Sequence, residues 1–182
     1  VLQEEAISSL RLIGRAAVKS LAAVFQDKNE SKRFAAAMTL FTMRQAAENA
    51  VPALCKALDR DSSSAVRSMA ASALGKIARR TDLSVPALVK ALRDKNRGVK
   101  RNAGDALAEL GPAAKKAVEP LCQMLKDKDV SLRKSAATAL GRMGLFAKSA
   151  VKDLSICLTT DSDWLVRLNA AEALGFIGDK AA

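Results

Sequence analysis

Apolar residues recur along this chain at helical spacing, in two kinds of segment that alternate. The first kind is short, as in AVPALCKAL at residues 50–58, where apolar side chains stand three and four positions apart. The second kind follows a turn that begins with Asp, as in DSSSAVRSMAASALGKI at residues 61–77. Both segments predict amphipathic α-helices that bury one face. Because only a few residues separate the two, each pair predicts a helical hairpin.

The hairpin pattern repeats at a nearly constant period. The second segments begin at five Asp residues spaced 33 or 34 positions apart: Asp27, Asp61, Asp94, Asp127 and Asp161. The first segments stand at residues 17–25, 50–58, 84–92, 117–125 and 150–158. Three of them carry Pro in the first turn, where a missing N–H costs a helix nothing. Self-similarity at a period of this length predicts a solenoid.

The predicted fold is therefore all-α: a right-handed α-solenoid of about five stacked hairpins with a leading half-repeat. We expect a single solenoid domain over residues 1–182, with a partial repeat at 1–14 and full repeats at 15–46, 47–80, 81–112, 113–145 and 146–182. Neither end has the polar face of a capping repeat, which an exposed solenoid end requires. We expect a segment of a longer array, or ends that something covers; end-to-end self-association is one way to cover them.

The repeats share the consensus D-x-x-x-x-[VL]-[RK]-x-x-A-[AG]-x-A-L-[GA]-x-[ILM], which resembles the HEAT-like repeats named for the phycobilisome lyases. The resemblance covers essentially the whole chain. The first unit departs from it, with Lys32 and Arg33 in place of Val-Arg and Phe41 where Gly is usual. The resemblance implies an armadillo-like superhelix whose second helices line the concave face. The tetratricopeptide and ankyrin patterns need Tyr and His respectively, and this chain has neither.

Each recurring Asp stands six residues before an Arg or Lys. The resemblance implies that Asp caps the turn or the second helix and pairs with the basic residue of a neighbouring unit, which makes a structural ladder rather than a row of catalytic pairs. The ladder residues are Asp27, Arg33, Asp61, Arg67, Asp94, Lys100, Asp127, Arg133, Asp161 and Arg167.

Small residues recur where helices must approach each other. Ala pairs and the glycines Gly75, Gly141 and Gly175 predict close contact between second helices, while a recurring Leu fills the core. We expect Trp164 to pack against a neighbouring unit, with contact to a partner as the alternative. The three cysteines are far apart and predict small core residues in a reducing compartment.

Positions one, two, five and nine after the Arg/Lys column share one helical stripe, away from the apolar face. We call it the concave stripe and expect it to bind a partner through Phe34, Met38, Ser68, Met69, Lys76, Arg101, Asn102, Asp105, Lys134, Arg142, Leu168, Asn169, Glu172 and Phe176. Apolar patches at both ends with charges of both signs between them are typical of protein-binding surfaces. The alternative is a merely solvated stripe in which Phe34 and Phe176 pack against adjacent units.

The net charge of +11 is concentrated in the middle of the chain. Residues 56–148 hold 20 Lys and Arg against 9 Asp and Glu. Many of these cations stand in turns and joints, and we call them the basic ridge: Arg60, Arg79, Arg80, Arg93, Lys95, Arg97, Lys115, Lys116, Lys126, Lys128 and Lys148. Such a ridge could follow a phosphate backbone, keep an Ala-rich surface in solution, or attract an acidic protein.

Candidate chemistry is otherwise sparse. The chain has no His, and no Ser-His, Cys-His, P-loop or Gly-rich phosphate motif occurs. We therefore expect no catalytic or metal-binding residues, no cofactor and no enzymatic activity. No apolar run reaches the roughly 18 residues that a bilayer span needs, and no signal-peptide pattern is present, so we expect a cytoplasmic protein without membrane insertion.

The function expected from these features is a non-enzymatic protein-protein interaction scaffold that binds a protein or peptide along the concave face. The alternative is nucleic-acid binding through the basic ridge. The resemblance leaves a further alternative, a phycobilin-lyase-like or chaperone-like accessory protein.

Overall fold

The computed structural model describes residue 14 and residues 16–178 of the chain. The first helices of the hairpins are α1 (residues 16–24), α3 (Val51–Arg60), α5 (Thr81–Ala91), α7 (Val118–Met124) and α9 (Val151–Thr160). The second helices are α2 (Glu30–Met43), α4 (Ser64–Ile77), α6 (Arg97–Leu110), α8 (Val130–Met143) and α10 (Trp164–Gly178). Over the described residues there is no β-strand, and the predicted all-α solenoid of helical hairpins is confirmed.

The predicted leading half-repeat lies, apart from residue 14, outside the described residues. The repeat boundaries expected from the sequence stay a prediction. Among the described residues, no helix combines the length and the apolar character that a membrane span requires.

Three of the joints between units are 3-10 helices, at Arg44–Ala50, Gly111–Ala117 and Gly144–Ala150. The first residue of each joint has a positive φ, which is 53° at Gly111, 56° at Gly144 and 51° at Arg44. Glycine adopts this backbone conformation freely, whereas a side chain makes it strained. Arg44 and the equivalent Ala78 of the next unit, at a φ of 50°, thus hold this conformation with a side chain, whereas the next two units carry glycine there.

Each second helix begins at a residue whose side chain accepts hydrogen bonds from the first free N–H groups. The N-cap residues are Asn29, Ser63, Asn96, Asp129 and Asp163. The recurring Asp stands two residues earlier and accepts the N–H of the N-cap residue itself, as Asp61 accepts from Ser63 at 2.9 Å. The resemblance left two roles open for this Asp, capping of the second helix and capping of the turn. In the structure the Asp caps the turn.

The core consists of Ala and Leu from both layers of helices. The recurring leucines Leu40, Leu74, Leu107 and Leu140 are fully buried. At Gly75 an added Cβ would lie 2.8 Å from the Cα of Ala106, so α4 and α6 come together backbone to backbone. Second helices contact one another along the stack, as α2 contacts α4, α4 contacts α6 and α6 contacts α8.

Two predictions about single residues need correction. Trp164 was expected to pack against a neighbouring unit, but among the described residues its side chain is 62% exposed at the start of α10. Cys122 and Cys157 are buried core residues as expected, but Cys55 is only half-buried beside the Leu83 carbonyl. Burial raises the pKa of the Cys55 thiol to about 11.

Candidate functional site

The ladder residues lie at the turns of the hairpins and link successive units. Arg33 donates from Nε and Nη2 to the two carboxylate oxygens of Asp61, at 2.7 and 2.9 Å. Its Nη1 donates to the main-chain carbonyls of Asp27 and Lys28 in its own turn. The same four hydrogen bonds recur for Arg67, with Asp94 as the acidic partner, and for Arg133, with Asp161 as the acidic partner. Each guanidinium thus fixes its own turn and the next one.

The remaining ladder residues depart from this arrangement. Lys100 donates its Nζ to one oxygen of Asp127 at 3.1 Å, a single bond in place of the fork. Arg167 donates to the carbonyls of Asp161 and Ser162 in its own turn, and no carboxylate accepts from it among the described residues. At the other end, Asp27 pairs with Lys32 of its own unit at 3.0 Å.

Electrostatics at the ladder are those of permanent ion pairs. The hydrogen bond from Arg133 lowers the pKa of Asp161 below its usual value, and burial opposes this without reversing it. The same bond raises the pKa of the Arg133 guanidinium. Because the carboxylate stays ionised and the guanidinium protonated, neither group can exchange a proton near neutral pH. This arrangement stabilises the stack and offers no acid or base to a reaction.

The concave stripe lies along the second helices, and none of its fourteen residues is buried. Seven of them are exposed: Met38, Arg101, Asp105, Arg142, Leu168, Glu172 and Phe176. Seven are half-buried: Phe34, Ser68, Met69, Lys76, Asn102, Lys134 and Asn169. The two aromatic residues differ, since Phe34 is half-buried and Phe176 is 55% exposed.

Polar residues of the stripe also bond neighbouring second helices to each other. Asn102 of α6 donates to Ser68 Oγ at 2.8 Å and to Ser72 Oγ at 3.1 Å, both on α4. Lys76 and Glu109 form an ion pair at 2.7 Å. These residues are occupied within the fold. Others, such as Arg101, Lys134 and Arg142, form no ion pair within the described part of the chain.

A groove of about 660 Å3 opens between the beginnings of α6 and α8. We call it the basic groove, since Arg97, Arg101 and Lys134 line it together with a single carboxylate, that of Asp129. The Asp129 carboxylate accepts the N–H of Ser131 at 2.8 Å as the N-cap of α8. Arg97 Nη1 lies 3.8 Å from it.

A second concavity, of about 300 Å3, lies at the ends of α8 and α10. We call it the apolar pocket; its side chains include Pro112, Arg142, Leu145, Phe146 and Phe176. Phe146 is 54% exposed, and the Lys115 Nζ lies 5.6 Å from the centre of its ring. No carboxylate belongs to the lining.

Sequence reasoning missed Leu145 and Phe146 because they belong to a joint, and it treated joints as polar connections. The presence of two large apolar residues in a joint was the feature of the sequence that could have indicated the apolar pocket. It also missed the groove, whose two sides come from helices 33 residues apart in the sequence. The residues of the basic ridge are all exposed, and several have partners: Arg60 lies 3.6 Å from Asp59 and Lys126 lies 2.9 Å from Asp153.

The chain is similar in sequence to a known family of repeat proteins. A sequence-family model for HEAT repeats matches residues 1–75, 18–97, 51–141 and 85–175. The search among curated proteins found no match.

Solved structures share the fold over most of the chain. The complex of CpcE and CpcF of phycocyanin lyase from Nostoc sp. PCC7120 superposes with a TM-score of 0.77 at 25% identity, over 89% of this chain and 65% of that one. An engineered protein gives a TM-score of 0.72 at 27% identity, over 89% of this chain and 79% of that one. A designed armadillo repeat protein in complex with the peptide (KR)4 gives 0.72 at 21% identity, over 97% and 94%.

Proposed function

We propose that this chain, which belongs to the HEAT repeat family, is a non-enzymatic scaffold that binds a protein or peptide along the concave stripe. The observation that carries the proposal is the pairing of exposed aromatic side chains with free cations on one surface. Phe176 and Phe146 face solvent beside Arg142, around a pocket large enough to take a side chain. Exposed aromatics beside Arg are the residues that dominate binding energy at protein interfaces.

The likeness to other repeat proteins supports the choice of partner class. Two of the similar structures are complexes, one of CpcE with CpcF and one of a designed repeat protein with a peptide. A solenoid of this shape can therefore hold a polypeptide. The lyase complex and the consensus together support a further alternative to the scaffold, a phycobilin-lyase-like or chaperone-like accessory protein of the phycobilisome-lyase repeat type.

The state of the charged groups and of the thiols supports the non-enzymatic part of the proposal. The ladder carboxylates are tied to guanidinium groups or to turn N–H groups. The burial that raises the pKa of the Cys55 and Cys122 thiols to about 11 leaves them poor nucleophiles.

Selection from a displayed random-peptide library tests the scaffold directly. We expect peptides that bind the chain, and we expect both Phe176→Ala and Arg142→Glu to weaken them about tenfold or more. Because both residues are exposed, neither change should lower the free energy of unfolding by more than about 0.5 kcal/mol. Binding is measured by titration calorimetry and stability by urea denaturation.

Ile156→Ala is the matched control, since Ile156 is an exposed apolar residue on α9, in the other layer of helices. It should leave binding unchanged. Selected peptides that bind both stripe variants as tightly as the original protein would show that the stripe is not the working surface. A large loss of stability in both variants would show that it is structural.

Nucleic-acid binding is a second candidate because the cations of the basic ridge are exposed. It is tested by fluorescence anisotropy with labelled single- and double-stranded nucleic acid at about 50 and 200 mM salt. Over this range the affinity of a protein that contacts phosphates falls steeply. Micromolar binding that collapses with salt would favour the ridge over the stripe.

A further inference from the structure

We infer that the partner of the concave stripe is an acidic segment with a bulky apolar side chain about four residues from its carboxylates. The inference rests on the proposed scaffold function and specifies the chemistry of the partner. In it, the basic groove binds the carboxylates and the apolar pocket binds the apolar side chain.

The basic groove has the charge that an acidic segment needs. Three cations line it against one carboxylate, and that carboxylate is already used by the N-terminal turn of α8. Among the described residues, Arg101 and Lys134 have no acidic partner. An incoming carboxylate would meet the planar donors of a guanidinium, which match its two oxygens. The groove is also wide enough, at about 660 Å3, for more than one side chain.

The apolar pocket complements the groove. Its volume of about 300 Å3 compares with the ~30 Å3 share of one water molecule in the liquid, so it has room for a large side chain. Filling it would take the exposed rings of Phe146 and Phe176 out of water. The charged groups at the pocket are the Arg142 guanidinium and the Lys115 ammonium near the Phe146 ring, and no carboxylate of the lining repels an acidic segment there.

Helix α8 connects the two sites and sets the spacing. Lys134 lines the groove and Arg142 lines the pocket, eight residues further along the same helix. Eight residues rise about 12 Å in an α-helix, whereas an extended chain advances about 3.3 Å per residue. A segment lying along α8 would thus pass from one site to the other in about four residues, over the exposed Thr138.

Two exposed acidic residues of the stripe, Asp105 and Glu172, oppose such a partner. Asp105 of α6 is exposed, and its carboxylate accepts the Ser135 hydroxyl at 2.6 Å. Its charge would repel an acidic segment and attract a basic one. The sign of the effect of Asp105→Asn therefore distinguishes the two kinds of partner.

The test uses a fluorescein-labelled peptide of about ten residues, with a cluster of Glu and a Phe about four residues beyond it. We expect saturable binding, measured by anisotropy, that weakens as salt rises. Replacing the Glu residues by Gln, or the Phe by Ala, should each weaken binding about tenfold, as should moving the Phe next to the Glu cluster. Equal affinity for all four peptides would overturn the inference.

Variants of the protein locate the sites. Arg101→Glu and Lys134→Glu should each weaken the peptide about tenfold, and Asp105→Asn should strengthen it. Lys56→Glu is the control: it makes the same charge change at an exposed lysine of α3, in the layer of first helices. Melting temperatures of all four variants show that they are folded. An effect of Lys56→Glu as large as that of Arg101→Glu would mean that only net charge matters, and the groove would be refuted.

Failure of this inference is distinct from failure of the scaffold function. Library-selected peptides that lack acidic residues, yet depend on Phe176 and Arg142, would overturn the inference and leave the scaffold standing. A nucleic-acid duplex that displaces the acidic peptide and loses affinity in Arg101→Glu would assign the groove to phosphates, which also overturns the inference. No binding of any peptide would remove both proposals.

Discussion

Arg133 and Arg167 occupy the same position in successive repeats but differ in one partner. Both donate from Nη1 to two carbonyls of their own turn. Arg133 also donates through two bonds to Asp161, whereas Arg167 has no carboxylate partner within the described residues. The pair therefore separates the contribution of the ion pair from that of the turn.

We expect Arg133→Ala to lower the free energy of unfolding by about 3 kcal/mol, because it leaves the buried Asp161 carboxylate without its partner. Arg167→Ala should lower it by about 1 kcal/mol, the contribution of hydrogen bonds to its own turn. Urea denaturation followed by circular dichroism measures both. Equal losses would show that the fork to Asp161 adds nothing to the turn bonds.

Single residues also mark the limit of what the sequence predicts. A spacing of six places each Asp beside a turn and each Arg on a helix, but the fork between units needs the stacking geometry. Trp164 was expected to pack, but its side chain is mostly exposed at the start of α10, and residue type alone does not separate these two outcomes. Residue type alone did not identify Asn29, Ser63 and Asn96 as the N-caps, because the Asp two residues earlier is an equally favourable N-cap residue.

At the scale of helices, the spacing of α4 and α6 is set by a missing side chain. Gly75→Ala would place a Cβ 2.8 Å from the Cα of Ala106, and backbone cannot move aside as a flexible side chain does. We expect a loss of about 1 to 3 kcal/mol in the free energy of unfolding, as for other overpacked cores. Thermal and urea denaturation provide the measurement.

Gly175 is the matched control, since a Cβ there meets nothing within 4 Å. Gly175→Ala should stabilise the protein by up to about 1 kcal/mol, because alanine favours the helix more than glycine does. If Gly75→Ala were equally stabilising, α4 and α6 would not be held at the distance that the structure has.

Helices were the most predictable part of the molecule, and joints the least. Apolar spacing carries the helix signal over many residues, so the hairpins follow from the sequence. The joint at Gly144–Ala150 is a 3-10 helix held by local bonds, and its short apolar pair Leu145 and Phe146 has no period to read. The apolar pocket was missed for this reason.

At the scale of the whole molecule, the ladder makes stability depend on acidity. Asp27, Asp59, Asp61, Asp94, Asp127, Asp129 and Asp161 all have a pKa lowered below 3.8 in the folded chain. For Asp127 the largest cause is the N–H of Asp129, followed by burial, which opposes it, and by Lys100. A lowered folded pKa means that the unfolded chain binds protons first as the pH falls.

The free energy of unfolding should therefore be nearly constant from neutral pH down to about 5, then fall as the pH drops through about 4 and below. Melting temperatures measured from about pH 7 to pH 2.5 test this. Asp161→Asn removes one of the responsible carboxyls and should give a shallower fall. A melting temperature that rises on acidification would contradict the assignment.

The repeat also explains why the fold was predictable as a whole while the site was not. Every unit of a solenoid has the same local structure, so five aligned copies of the sequence pattern all support the prediction of the same helical hairpin. The binding surface is where the copies differ. Arg101 and Lys134 come from two units, and only the stacking of those units in the structure shows that they share a groove.

Four basic residues of the ladder each bond to the Asp of the following unit, and one of the four is a lysine, Lys100. From Arg33 to Asp94, and again from Arg133 to Asp161, forked guanidinium groups clamp each turn to the next. Between these two runs stands the single Lys100–Asp127 bond. The ladder is therefore weakest between α6 and α8, where the Ser135 hydroxyl adds a hydrogen bond to the Asp105 carboxylate at 2.6 Å. The basic groove lies between the beginnings of α6 and α8, so a bound segment would contact both units and hold them together where the ladder is weakest.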